Sequence, residues 1–196
     1  MKSLLDKSVL SNLVVAAYRV KREVPLRVPD MVLKSIGFVA EVLGQDLTSQ
    51  SFDPIATSFM VSVPSKVPGG RHMYAVTAKH AIDETPNTEK VVIVNKVGGG
   101  VAPLAWTGPW YHHDDPSVDA LVAPVNYDAT LDVSVFDMED CFNESSNKEN
   151  IGPGDEVFFP GLFTAVPGVE KVIPLVRHGN LAMIPNQQIQ TRACSH

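Results

Sequence analysis

The stretch MYAVTAKHAI, residues 73–82, runs from strand-forming residues into a lysine–histidine pair, and the loop DETPNTEK, residues 83–90, follows. Val76 and Thr77 favour a pleated backbone, and Pro86 with Asn87 marks a break soon after. The pattern predicts a strand that ends just before His80, where a rigid scaffold can hold an imidazole beside a cleft. A lone histidine at such a place only caps a strand. Whether His80 does more depends on what the rest of the chain supplies.

Outward from this stretch the texture is uniform. Beyond Pro29, short segments of β-branched and aromatic residues alternate with clusters of Gly, Pro, Asn and Asp, the pattern of an all-β sandwich or barrel. Strands are predicted at SIGFVAEV (35–42), ATSFMVSV (56–63), HMYAVTA (72–78), KVVIVN (90–95), APLAWTG (102–108) and VDALVAPV (118–125). VPGG (67–70) and VGGG (97–100) read as turns between them. CFNESSNKENIGPG (141–154) is polar and irregular, a linker or exposed loop. After it come DEVFFPGLF (155–163) and KVIPLVRHGNLAMI (171–184), two or three further strands.

The chain has 196 residues, 44% hydrophobic and 19% charged, enough to bury a core in one domain or two small lobes. A net charge of -6 with no Lys/Arg-rich run argues against nucleic acid or an anionic membrane surface as the main partner. No apolar run approaches the roughly 20 residues that span a bilayer. The first 24 residues, MKSLLDKSVLSNLVVAAYRVKREV, read as an amphipathic helix, with a signal peptide as the alternative. Compartment and oligomeric state are not legible. Cys141 and Cys194 lack the paired spacing of a zinc site and read as thiols.

Asp119 stands immediately before the apolar run Ala120 to Val125. A carboxylate at the mouth of a buried strand is costly unless something nearby needs its charge, so Asp119 is expected to be buried against a partner. The residue types suit a base and its orienting group: imidazole titrates near neutrality, and a carboxylate on Nδ1 leaves Nε2 to accept a proton.

Taken together, AVTAKHAI (75–82) resembles the VTAAHC segment of trypsin-like serine peptidases, and VDALVAPV resembles their DIALL segment. The order is similar too, with the histidine after the third strand and the aspartate leading into the sixth. GPGDEVFFPGLF (152–163) resembles the GxxVxxxG strand that opens the second barrel of that family, and VRHGNLAMIP (176–185) the strand after it. The resemblance, over 35–185, implies a trypsin-like double β-barrel. Its parts are an N-terminal helical extension (1–33), a complete first barrel carrying His and Asp (34–132), and a linker with an incomplete second barrel (133–196). It implies His80 as general base, Asp119 as its orienting partner, a peptide or protein substrate, and no cofactor or metal.

The family's nucleophile motif, GxSGxP, has no counterpart here. Ser195 and Cys194, in the final TRACSH, lack flanking glycines, so the expectation is a chain that stops or leaves frame before the nucleophile and is inactive as given. The alternative is a non-catalytic binding module that keeps the barrel.

Other candidates read as structural. In YHHDDP (111–116), adjacent His112 and His113 on extended backbone point to opposite faces and cannot share one ion, which leaves a solvated loop. Asp114 or Asp115 replacing Asp119 is an alternative. His178 is expected on an exposed strand, with a place in a substrate pocket as the alternative.

Overall fold

Ile36, Phe38 and Ala40 point to one side of a strand and Val39 to the other, and both sides are buried. This double burial explains why the strand is apolar throughout instead of alternating. The computed structural model describes residues 27–43, 52–83, 89–106, 108–141, 152–163 and 170–182. The extension expected at 1–33 lies outside them up to residue 26. What is described begins with a short helix, α1 (Asp30–Lys34), tied down by Lys34 Nζ to Asp132 Oδ1 at 2.7 Å.

The strands are β1 (Ile36–Val42), β2 (Phe52–Pro64), β3 (Arg71–Thr77), β4 (Lys90–Asn95), β5 (Val101–Pro103), β6 (Ala105–Trp106), β7 (Tyr111–His112), β8 (Leu121–Asn126) and β9 (Phe136–Asp137). A single helical turn, α2 (His80–Asp83), follows β3. The protein is all-β in character, and among the described residues all strand pairs but one are antiparallel. The exception is β2 with β9.

The sheet runs β5-β4-β1-β2-β3-β8-β6, with β7 also on β8. Only Leu104 separates β5 from β6, and its N–H donates to the Val92 carbonyl at 2.7 Å. One run of chain, 101–106, thus bonds to β4 at its start and to β8 at its end, and the strand order returns on itself. The predicted strand APLAWTG is therefore two short strands, each serving a different neighbour.

Period-two alternation divides the apolar residues between the two faces. Val39, Met60, Ala75, Val92, Val94, Leu104 and Val125 form one cluster. On the opposite face Ile36, Phe38, Ala40, Phe52, Val91 and Ile93 pack with Val172 and Leu162 from the C-terminal part. A third cluster, Val61, Val76 and Val122, is covered by Phe136 and Met138. Gly37 is needed where β1 crosses this core: a Cβ there would sit 2.9 Å from Val92 Cγ1 and 3.0 Å from the Ile93 carbonyl oxygen.

The C-terminal part contributes a two-stranded antiparallel sheet, β10 (Glu156–Gly161) with β11 (Leu175–Asn180). It docks on the larger sheet through polar as well as apolar contacts. Asn95 uses its side-chain amide as a strand edge would: Nδ2 donates to the Val172 carbonyl at 2.9 Å, and Oδ1 accepts the Val172 N–H at 2.8 Å. Among the described residues, no helix is long and apolar enough to cross a membrane.

Candidate functional site

Register brings the two sequence-predicted residues together. In the β3–β8 pair Thr77 lies opposite Leu121, so the chain leaving β3 and the chain entering β8 emerge side by side. Beyond Thr77 the backbone turns on the Lys79 carbonyl, which accepts from Ile82 N at 3.0 Å and Asp83 N at 3.1 Å. That makes α2 a single turn, too short to persist without tertiary support. Asp119 supplies part of that support. Its Oδ1 accepts the backbone N–H of His80 at 2.9 Å, and its Oδ2 lies 2.6 Å from His80 Nδ1.

This two-point contact fixes both the position and the ring orientation of His80. With a carboxylate on Nδ1, the neutral imidazole carries its proton there and presents Nε2 as acceptor. The Asp119 carboxyl is held below the usual carboxylate range chiefly by the His80 backbone N–H; partial burial opposes this, and the His80 ring and the Lys79 backbone N–H add to the lowering. The pair lines an open hollow of about 360 Å³ together with Lys79, Asp83 and Pro116.

One expectation is corrected. Asp119 is not buried: 53% of its side chain is exposed, and 59% of that of His80. The cause is position. Asp119 precedes β8 at an end of the sheet, and its contacts come from the first turn of α2, which covers one side only.

Asp115 and His178 make contacts of their own. Asp115 accepts from both the N–H and the hydroxyl of Ser117, at 2.9 and 2.7 Å, and these bonds lower its pKa. It organises its own loop, where its N–H donates to His113 Nδ1 at 3.0 Å. His112 lies on β7 opposite Leu121. His178 is exposed on β11, its ring centroid 5.3 Å from that of Phe158 and its Nε2 3.9 Å from Glu156. Among the described residues, no group of three or more His, Cys, Asp or Glu is placed to hold a metal ion. Cys194 and Ser195 lie outside the described residues.

Two features had no sequence signal. Arg71 pairs with Asp137 and also reaches Ser62, its Nε donating to Oγ at 3.0 Å, which holds β9 against the β2–β3 hairpin. The hydroxyl of Ser58 is fully buried, and no hydrogen-bond partner for it stands among the described residues. No family model, curated protein or solved structure matches this chain.

Proposed function

We propose that the chain is a peptidase domain of the trypsin-like kind, in which His80 is the general base and Asp119 the carboxylate that orients it. The observation that carries this reading is the 2.6 Å contact between His80 Nδ1 and Asp119 Oδ2, made across a strand pair that leaves Nε2 uncommitted to Asp119. The strand order supports it. The ring β1-β2-β3-β8-β6/β5-β4 suits a six-stranded first barrel, with β10 and β11 as the opening strands of a second.

The substrate would be a peptide or protein. As a serine oxygen bonds to the scissile carbonyl carbon, its proton passes to Nε2 of His80. The imidazolium then gives that proton to the leaving amine as the C–N bond breaks, and water repeats the cycle on the acyl-enzyme. Asp119 stays ionised throughout, consistent with its lowered pKa. None of the five residues lining the hollow supplies a hydroxyl or a thiol, so the nucleophile must come from elsewhere.

A second reading, a non-catalytic binding module, draws on the exposure of the pair. More than half of each side chain faces solvent, whereas catalytic charge stabilisation is strongest where water is excluded. Activity-based labelling in the native source separates the two. A fluorophosphonate probe should label, at a serine, a protein that also yields peptides from 27–141. Abundant peptides from that range without label would favour the binding module.

A further inference from the structure

Thr57, on β2, is not a member of the candidate pair, yet it joins the C-terminal hairpin to β3, the strand that leads to His80. Its Oγ1 accepts the N–H of Leu162, just past the end of β10, at 2.8 Å. Its backbone carbonyl accepts the hydroxyl of Thr77, the last residue of β3, at 2.8 Å. Gly161 lies so close that a Cβ built there would stand 2.9 Å from Thr57 Oγ1. A β-branched side chain has few rotamers with which to give way, so the contact demands glycine.

We propose that Thr57 is a latch and a positioning residue: it fastens the hairpin to the larger sheet and, through Thr77, holds the chain that presents His80 to Asp119. The physical route is short. Leu162 bonds to the Thr57 side chain, the Thr57 carbonyl pins Thr77, and three residues later the His80 N–H reaches Asp119. The clamp of Asn95 on Val172 is a second fastening point, and the apolar cluster of Ile36, Phe38, Leu162 and Val172 fills the space between. Loosening the hairpin should therefore be felt at the imidazole. The latch is independent of catalysis, whereas the positioning role rests on the catalytic reading of His80 and Asp119.

The test uses the full chain and three substitutions. Thr57→Val keeps the shape and removes the side-chain acceptor, and Thr57→Ser restores it. Gly161→Ala forces the latch apart from the hairpin side and leaves β2 intact, which keeps the test open should Thr57→Val not fold. Amide exchange at Leu162 should quicken by about tenfold or more in Thr57→Val and Gly161→Ala, as expected when a local bond no longer resists opening. The ring resonances of His80 should move in the same two variants and return in Thr57→Ser. Unchanged exchange at Leu162 would overturn the latch. Faster exchange with unmoved His80 resonances would overturn the positioning role. Neither result bears on whether a serine is labelled in the native source, so a failure here stays distinct from a failure of the peptidase reading.

Discussion

The carboxylate of Asp119 accepts from both the backbone N–H and the ring of His80, and the backbone N–H is the largest single cause of its lowered pKa. It is therefore a cap for α2 as well as a partner for an imidazole, and both roles need its charge. A carboxyl whose pKa is lower folded than unfolded stabilises the fold in full above the unfolded value and loses that effect as the pH falls through the folded one. For an aspartate the unfolded value is about 3.9. Asp119→Ala should thus have a lower urea midpoint than the unaltered chain at pH 7, and the gap should narrow as the pH drops below about 4. The effect will be modest, because the group is more than half exposed. A gap that stays constant down to pH 3 would show that the charge contributes nothing.

Asn95 illustrates what a single element can and cannot announce. It closes the predicted strand KVVIVN, while its partner Val172 lies 77 positions away. No local pattern encodes such a contact. Its loss leaves the N–H and carbonyl of buried Val172 without partners, at about 1–3 kcal/mol for each group left unsatisfied. Asn95→Ala should lower the unfolding free energy by at least about 1 kcal/mol in a denaturant titration. An unaltered midpoint would mean that water replaces the amide without loss. The long strands β1, β3, β4 and β8 were legible, because each carries a run of β-branched or apolar residues that outweighs a lone Gly37 in β1 or Pro124 in β8. The strands β7 and β9, of two residues each, are too short to show a period, and β2 begins at Phe52 despite Pro54. The nearness of His80 and Asp119 was expected only from the family resemblance, because nothing local in the sequence pairs β3 with β8. The exposure of Asp119 was not expected, because burial depends on what packs over a residue from elsewhere.

At the scale of the whole molecule, Leu104 holds the sheet's two ends together. It is 1% exposed and stands between β5, which bonds to β4, and β6, which bonds to β8. Leu104→Ala removes a core side chain at the point of closure and should cost about 2–5 kcal/mol, read as a fall in the thermal or urea midpoint. A change below about 1 kcal/mol would show that the neighbours collapse into the gap. The same closure has a consequence during synthesis. The segment 101–106 leaves the ribosome before its partner β8, and roughly 20 residues more must be translated before Asn126 appears. At about 5–20 residues per second, the nascent chain waits about one to four seconds with β5 paired on one side and β6 unpaired. For that interval the edge that β8 will cover is open to other chains, so the speed of decoding between Trp106 and Asn126 sets how long the growing sheet stays unclosed.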